Sequence, residues 1–347
     1  MLFGNRLKKS VKIQDVAKVA GVSTATISRA LSNPSVVSKA TREAVLEAVK
    51  VTGYRVNRAA RNLRTRKSNA ILVLLPDIGN PFFSQILQGI QTVLSPNGFS
   101  MLIAETAQIS AAGEHLIDYF NDGRADGMIV FDGGLDRDVA RDLIGAPQRN
   151  QIVFACEWID NADFPSVRSA NRRGAVEAVR HLIDLGHTKI AHVTGPKGNV
   201  LTEARHESFV KTLDENNIPL RNEWVLDGDF HLNSGRIAAR KIMDMDEKPT
   251  AIFCASDQIA CALIAEFSKC NINVPEDMAV IGFDDIELAE HFVPALTTMR
   301  QDRLGLGRQA AQILLSRMMN DSEISNSDVI VMDVDLVVRE STAPPRN

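Results

Sequence analysis

The length and composition of the chain are those of a globular protein with more than one domain. Its 347 residues predict two or three compact units at roughly 100–200 residues per domain, and 45% of them are hydrophobic while 24% are charged. No apolar run approaches the ~20 residues of a membrane-spanning helix, and the basic start lacks the apolar stretch of a secretory signal. We therefore expect a cytoplasmic protein without a membrane segment.

The four cysteines give no sign of a metal site or of a disulfide framework. They form no Cys-x-x-Cys pair and no cluster with His at zinc spacing. These residues are Cys156, Cys254, Cys261 and Cys270. We expect reduced thiols in or near the core, no bound metal and no cofactor.

The charge of the chain is distributed unevenly, although the net charge is only −4. Residues 1–68 carry 15 Lys and Arg against 3 acids, whereas the remainder carries 24 against 40. A basic region by itself is usually a solvated surface, so it indicates DNA binding only where it coincides with a reading element.

The residues after the basic start predict a helix, a tight turn and a second helix. Apolar residues from Ile13 to Ala20 recur at the spacing of one helix face. Gly21 permits the turn, and Ser23 can cap the second helix, which we expect to end near Ser32. Short side chains and one guanidinium can lie along the exposed edge of that helix: Thr24, Ala25, Ser28 and Arg29.

A third helix is predicted from Ser38, which can cap it, to Gly53, which can end it. Its apolar residues Val45, Leu46 and Val49 would close a small core. The three helices together are the expected reading element for the basic part of the chain.

The stretch IQDVAKVAGVSTATISRALSNPSVV, from Ile13 onward, resembles the head of the lactose-repressor/galactose-repressor (LacI/GalR) family. The family motif is carried by Asp15-Val16-Ala17, Ala20-Gly21-Val22-Ser23 and Thr26-Ile27-Ser28-Arg29. The resemblance is closest to cytidine-repressor-like members. It implies an all-α, lambda-repressor-like helix-turn-helix domain at residues 11–56 that binds palindromic double-stranded DNA as a homodimer. The implied DNA contacts are Thr24, Ala25, Thr26, Ser28 and Arg29.

The segment VNRAARNLRT resembles the hinge of the same family, which implies a hinge helix at residues 57–66. Its implied DNA contacts are Asn57, Ala60 and Leu63, with Leu63 wedged into the minor groove at the operator centre. A helix of about two turns is too short to be stable alone, so we expect it to order only beside its dimer mate on DNA. Val56 stands where the family often has Pro, and an ordinary solvated linker is the alternative.

From Asn69 onward, apolar runs alternate with amphipathic helices, which predicts βαβ units around parallel sheets in two lobes. The strands predicted for the first lobe are Ala70–Leu75, Phe99–Ala104, Gly127–Phe131 and Gln151–Ala155. Those for the second are Lys189–Val193, Thr250–Cys254 and Met278–Gly282. Ligands of such sheets bind beyond the carboxyl ends of the strands, so the two lobes should face one cleft.

The family resemblance extends over this region and implies the two-lobed α/β fold of the periplasmic-binding-protein-like type I class. It implies an effector-binding and dimerisation domain at residues 67–347, with lobe 1 at about 68–164 and 297–325 and lobe 2 at about 165–295 and 326–347. The chain would cross between the lobes near residues 162–169, 293–297 and 321–329.

Side chains at several strand ends match the effector contacts of the family. The implied effector-binding residues are Phe82, Phe83, Asp132, Glu157, Arg205, Phe230 and Asp257. Aromatic faces and carboxylates together suit a small hydroxylated ring, such as a sugar or a nucleoside. Two departures from the family pattern leave room for a specialised or a shifted site. Ala170-Asn171 stands in place of Asp-Asn, and the Gly expected after Arg205 is replaced in the run Arg205-His206-Glu207-Ser208-Phe209.

Two other functions compete with that of a regulator. An enzyme is disfavoured because Gly305-Leu306-Gly307 lacks a third Gly and a preceding strand, and the sequence contains no nucleophile elbow or Walker A motif. A sugar-binding protein without DNA regulation would have similar lobes but no DNA-reading head. Tetrameric members of the family carry a C-terminal leucine-heptad helix, whereas Pro344 and Pro345 bar a long helix here, so the resemblance implies a dimer and not a tetramer. The sequence leaves open whether the effector releases or strengthens DNA binding.

Overall fold

The computed structural model describes residues 11–54, 67–112, 115–160, 162–319 and 328–346. The chain divides into two compact units, one up to Ser68 and one from Asn69. The predicted hinge contacts Asn57, Ala60 and Leu63 lie outside the described residues, so the hinge stays a prediction. Within the described part of the chain, no helix is long and apolar enough to cross a membrane.

Between residues 11 and 54, the first unit contains three helices, which we label α1 (Ile13–Ala20), α2 (Thr24–Ser32) and α3 (Lys39–Thr52), with a 3-10 turn at Pro34–Val36. Gly21 ends α1 in the left-handed conformation, with a φ of 66°. This conformation costs Gly no Cβ clash.

The predicted capping of α2 and α3 is confirmed. The side chain of Ser23 accepts a hydrogen bond from the Thr26 amide at 3.1 Å, and that of Ser38 accepts from the Thr41 amide at 3.2 Å. Each serine therefore satisfies an amide that the first turn of its helix would otherwise leave without a partner.

The core of the first unit is small. Val16, Ile27 and Val45 are fully buried, one from each helix. The prediction for Leu46 was wrong, because this side chain is 53% exposed. One residue along a helix rotates the side chain by about 100°, so Leu46 points away from the core that Val45 enters, and Ala48 fills the next buried position.

The described residues of the second unit form two six-stranded sheets. The first has the strand order β11-β5-β4-β3-β1-β2, and all of its pairs are parallel. Its strands are β1 (Ala70–Leu75), β2 (Ser100–Glu105), β3 (Gly127–Val130), β4 (Ile152–Ala155), β5 (Ser166–Ser169) and β11 (Val329–Met332). The helices of this lobe are α4 (Phe83–Leu94), α5 (Thr106–Ala111), α6 (Asp118–Asn121), α7 (Arg137–Gly145) and α13 (Arg303–Met318).

The second sheet has the order β12-β10-β9-β8-β6-β7, with β12 antiparallel to β10. Its strands are β6 (Ile190–Val193), β7 (Val225–Leu226), β8 (Ala251–Cys254), β9 (Ala279–Asp284), β10 (Thr297–Gln301) and β12 (Val334–Val337). The helices of this lobe are α8 (Asn171–Asp184), α9 (Val200–Glu215), α10 (Leu232–Met243), α11 (Asp257–Lys269) and α12 (Glu287–His291). The 3-10 turns of the unit lie at Arg149–Gln151 and Asn222–Trp224.

The chain crosses between the lobes later than the sequence predicted. The crossings lie between β5 and α8, between β10 and α13, and between β11 and β12, near residues 170, 302 and 333. The lobe bounds of about 164, 297 and 325 therefore need correction. Strand β5 pairs with β4 and β11 pairs with β5 in lobe 1, whereas β10 pairs with β9 in lobe 2. The strand with which a segment pairs decides the lobe to which it belongs. The residue pattern of a short segment such as Ser166–Ser169 does not indicate its pairing partner.

Helices α4 and α13 of lobe 1 pack unusually closely. A Cβ atom added at Gly89 would lie 2.2 Å from the carbonyl oxygen of Leu304, and one added at Gly307 would lie 2.1 Å from that of Ile86. These glycines let the two helix backbones touch, which fixes the start of α13 beside the first turns of α4.

Candidate effector cavity and DNA-reading helix

A cavity of about 440 Å³ lies between the two lobes, at the carboxyl ends of the strands. Lobe 1 lines it with the loops after β1, β3 and β4, and lobe 2 with the loops after β6 and β7, the first turns of α9 and the end of β9. The lobe 1 wall consists of Pro76, Asp77, Asn80, Phe82, Phe83, Phe131, Asp132, Gly134, Cys156 and Glu157. The lobe 2 wall consists of Pro196, Lys197, Gly198, Asn199, Leu201, Arg205, Asp229, Phe230, His231 and Asp284.

Six of the seven residues predicted to contact an effector lie on these walls: Phe82, Phe83, Asp132, Glu157, Arg205 and Phe230. Their role toward a ligand stays a prediction, but the fold brings them together from positions far apart in the chain. Across the cleft, Nδ1 of His231 lies 3.5 Å from Oδ2 of Asp77, so the two walls are in contact range.

Asp257 does not line the cavity, which corrects its predicted placement. It is completely buried, and its carboxylate accepts hydrogen bonds from the hydroxyl of Thr298 at 2.5 Å and from the amide of Ile286 at 2.9 Å. Burial, aided by the charge of Asp284, raises the pKa of Asp257 well above its usual value. Asp257 therefore joins α11 to the neighbouring strand and loop.

Asp284 is a buried carboxylate that lobe 2 places on the cavity wall, and the sequence prediction missed it. It ends β9, so the strand-end rule that identified Asp132 could have identified it too. Its Oδ1 accepts a hydrogen bond from Nε2 of Gln301 at 2.7 Å. Burial raises the pKa of Asp284 to about 6, against the opposing charges of Arg205 and Arg303.

Arg205 is the centre of the lobe 2 wall. Its guanidinium donates to the Oδ1 atom of Asn171 from Nε at 3.0 Å and from Nη2 at 2.8 Å, and it also bonds the carbonyl of Ala255. It stacks over the ring of Phe283 at 3.7 Å, with Asp284 at 4.0 Å. Asn171 is thus the residue that orients Arg205, and it directly follows Ala170, which departs from the family pattern.

Aromatic rings form opposite faces of the cavity. On lobe 1, Phe83 meets Phe82 and Phe131 edge to face, with ring centroids 5.2 and 5.8 Å apart. On lobe 2, the ring of Phe230 occupies the space that a side chain at position 195 would need, since a Cβ added to Gly195 would lie 2.2 Å from Cζ of Phe230. Ring faces on both walls can enclose a flat or ring-shaped ligand.

Glu157 faces the cavity from lobe 1. Its Oε2 accepts from the amide of Gly133 at 2.9 Å, and the side chain of Asn199 on the opposite lobe also bonds it. Burial, with a smaller contribution from the charge of Asp132, raises the pKa of Glu157 to about 7. The carboxyl group can therefore act as a donor or as an acceptor toward a hydroxyl near neutral pH.

The walls carry more acidic than basic groups. The acids are Asp77, Asp132, Glu157, Asp229 and Asp284, and the permanently basic groups are Lys197 and Arg205. Such a cavity favours an uncharged ligand over a phosphate ester, because each added negative charge would meet this excess at low dielectric.

Helix α2 in the first unit carries the predicted DNA contacts. Thr24, Ala25 and Arg29 are exposed, while Thr26 and Ser28 are half-buried. The hydroxyl of Thr26 lies 2.9 Å from that of Ser23, so it supports the turn before the helix as well as lying along its edge. Thr24, Ala25 and Arg29 are therefore accessible on the surface of the head, and the contact of all five residues with DNA stays a prediction.

These features define a class: a DNA-binding helix-turn-helix unit joined to a two-lobed α/β unit with a ligand-sized cavity between its lobes. Residues 12–57 match the model described as "Bacterial regulatory proteins, lacI family", and residues 179–342 match "Periplasmic binding protein-like domain". The chain belongs to the LacI family.

Proteins that align with nearly the whole chain are named as transcriptional repressors. The chain is 36% identical over 332 residues to the HTH-type transcriptional repressor CytR of Escherichia coli (strain K12), covering 95% of this chain and 96% of CytR. It is 32% identical over 330 residues to the HTH-type transcriptional repressor PurR of Vibrio vulnificus (strain CMCP6), covering 95% and 98%. Both are named as repressors and not as enzymes.

Solved structures share the fold. The Lac repressor dimer bound to operator and the anti-inducer ONPF matches with a TM-score of 0.84 at 28% identity, over 96% of this chain and all of that chain. The complex of the transcriptional regulator CelR with cellobiose matches with a TM-score of 0.71 at 28% identity, over 95% and 99%.

Proposed function

We propose that this chain is a non-enzymatic transcriptional repressor that binds a palindromic operator as a homodimer and senses an uncharged hydroxylated ring compound, a sugar or a nucleoside. The observation that carries the proposal is the cavity lined from both lobes, in a chain whose other unit is a helix-turn-helix head. The named relatives and the repressor complexes with operator and with cellobiose support it.

The lining of the cavity supports this class of effector. Ring faces from Phe82, Phe83 and Phe230 offer stacking, while Glu157 and Asp284 offer hydrogen bonds to hydroxyl groups. Phosphorylated sugars and nucleotides would bring two negative charges into a cavity that already holds an excess of acids. The neutral compounds should therefore bind and their phosphates should not.

The exposed edge of α2 supports major-groove binding. In the proposal Arg29 contacts a base edge or a phosphate, and Thr24, Ala25, Thr26 and Ser28 contact neighbouring base edges and phosphates. The hinge contacts Asn57, Ala60 and Leu63 belong to the proposal on the family resemblance alone.

Exposed apolar side chains support a homodimer. On the edge strand β2, Leu102 and Ile103 are exposed, and on lobe 2 so are Leu288 and Val293, the last at 87%. An edge strand with apolar side chains invites pairing or covering. A symmetric dimer would also supply the two-fold axis that a palindromic operator requires.

The test begins with selection of a binding site from duplexes that carry randomised palindromic half-sites. Binding of the purified chain to the selected duplex is then measured by fluorescence anisotropy in the presence of ribose, cytidine, adenosine or their 5′-phosphates. We expect one of the uncharged compounds to change operator affinity by roughly 5–150-fold, the usual range of allosteric coupling, and the phosphates to have no effect. If the chain binds selected and scrambled duplexes equally well, yet binds a sugar, it is a binding protein without DNA regulation.

A further inference from the structure

A carboxylate of lobe 2 is held by two side chains of lobe 1, away from the cavity wall. Oε1 of Glu287, at the start of α12, accepts a hydrogen bond from Nε2 of Gln85 on α4 at 2.8 Å, although the residues are 202 positions apart in the chain. Oε2 of Glu287 lies 3.7 Å from Nη1 of Arg303, the first residue of α13. Both oxygens of one carboxylate are thus approached from the opposite lobe.

The two lobe 1 side chains stand on one rigid support. Helices α4 and α13 touch backbone to backbone through Gly89 and Gly307, so Gln85 and Arg303 keep a fixed spacing. Arg303 is only 3% exposed, and Nη2 of its guanidinium donates to the carbonyl of Asp285 in lobe 2 at 2.8 Å. Within the described residues its Nη1 is buried without a hydrogen-bond partner, and the carboxylate of Glu287 lies within ion-pair distance of it.

The same arginine acts on the cavity. The positive charge of Arg303 is one of the influences that lower the pKa of Asp284 against the effect of its burial. Asp284 also accepts from Gln301, whose Oε1 in turn accepts from Ser169, and these two residues lie just before two of the crossings between lobes. A change at the cavity wall therefore reaches both crossings through direct hydrogen bonds. It reaches Arg303 through charge and through the bond of Arg303 to the carbonyl of Asp285, the residue after Asp284.

We infer that Gln85, Glu287 and Arg303 form a latch that holds the lobes in the closed arrangement, with Arg303 as a positioning residue between the latch and the cavity. The latch itself is inferred from the contacts between the lobes; only its effect on effector affinity rests on the proposed function. A ligand that touches both walls binds the closed arrangement, so its apparent affinity falls with the closed fraction when the latch is lost.

The test measures the distance between the lobes without operator or effector. One spin label is attached to Cys270, which is exposed in lobe 2, and one to an Asp138→Cys variant on α7 of lobe 1; the other three cysteines are buried. Pulsed electron resonance is recorded on full-length chains diluted with an excess of unlabelled chain, so that distances within one chain dominate. A failure here leaves the proposed function standing, because operator selection and effector titration are separate measurements.

We expect one main distance in the otherwise unaltered chain and a second, longer one in Gln85→Ala and Glu287→Ala. Loss of one charge-assisted hydrogen bond should raise the ratio of open to closed chains by about fivefold or more. The double variant should open little more than Glu287→Ala alone, because the same contact is removed. Arg303→Met, which keeps volume but removes the charge, should open the lobes as well.

Two exposed residues of the same helices serve as matched controls. Gln88→Ala on α4 and Glu290→Ala on α12 remove the same side chains one turn away, and both should keep the original distance. The inference is overturned if Gln85→Ala and Glu287→Ala match these controls, or if their effects simply add in the double variant. If Arg303→Met fails to fold, the Gln85 and Glu287 variants still decide the question.

Discussion

The two units of this protein build their functional surfaces in different ways. The head presents one nine-residue helix, α2, whose edge residues lie within six positions of one another. The cavity draws its walls from segments between Pro76 and Asp284, more than 200 positions apart. A surface of the first kind depends on local caps and turns, whereas one of the second kind depends on buried polar contacts between distant segments. Substitutions in the head should therefore impair DNA binding alone, whereas substitutions in the cavity wall should also lower the stability of the second unit.

The largest effect is expected from Arg205→Met in the cavity wall. This change leaves Asn171 and Asp284 without their buried partner, and loss of one member of such a group typically costs about 3–5 kcal/mol of stability. Urea unfolding of the second unit should show the loss, and titration with the identified effector should show no response. Arg180→Met, which removes an arginine that is 59% exposed on α8, is the matched control and should change stability little. Equal stability of the two variants would contradict a central role for Arg205.

The next effect is expected from Arg29→Ala in the head. Removal of a base or phosphate contact should weaken operator binding by about 1–3 kcal/mol, while effector affinity and the unfolding of the second unit stay unchanged. Anisotropy titrations with the selected operator and with a scrambled duplex measure the specific and the non-specific DNA affinity. Lys50→Ala removes an exposed charge from α3 and should not alter the preference between the two duplexes. An unaltered operator affinity in the Arg29 variant would remove this residue from the interface.

A pH dependence of smaller size should come from Glu157. Because burial raises its pKa to about 7 from 4.5, the folded state retains a proton that the unfolded chain has lost between these values. The contribution of Glu157 to stability is thus full below about pH 4.5 and is lost as the pH rises through 7, with a slope of at most about 1.4 kcal/mol per pH unit.

The comparison of unaltered chain with Glu157→Gln isolates this term. The variant mimics the neutral carboxyl group, so its stability relative to the unaltered chain should increase between pH 5 and 8, measured by urea unfolding at several pH values. The buried His192, whose pKa is lowered to about 3 by burial, imposes the opposite trend on both chains and cancels in the difference. A difference that does not vary with pH would mean that Glu157 is ionised throughout.

The smallest effect is expected from Ser23→Ala at the start of α2. Loss of the cap should lower the local opening free energy of the head by about 1 kcal/mol, whereas Ser23→Gly should cost only a few tenths. Amide hydrogen exchange of α2 measures the change, and amides of the second unit serve as an internal reference. If exchange accelerates equally in both units, the head does not behave as a separate folding unit.

The sequence by itself determined the local features of this protein. Gly21, Ser23 and Ser38 specify the turn and the caps of the head because each acts within a few residues. Apolar runs such as Ala70–Leu75 specify strands for a similar reason, since a fully buried parallel strand needs a continuous apolar segment.

Only the tertiary structure decided which residues meet. Asp257 follows β8 and Asp284 ends β9, so both come at the carboxyl end of a strand. The carboxylate of Asp257 is hydrogen-bonded by Thr298 and Ile286 inside lobe 2, whereas Asp284 lies on the cavity wall. The places where the chain crosses between lobes depend on which strand pairs with which neighbour, and the contact between Gln85 and Glu287 joins residues 202 positions apart. Such contacts arise from packing between distant segments, and no local pattern of residue types encodes them.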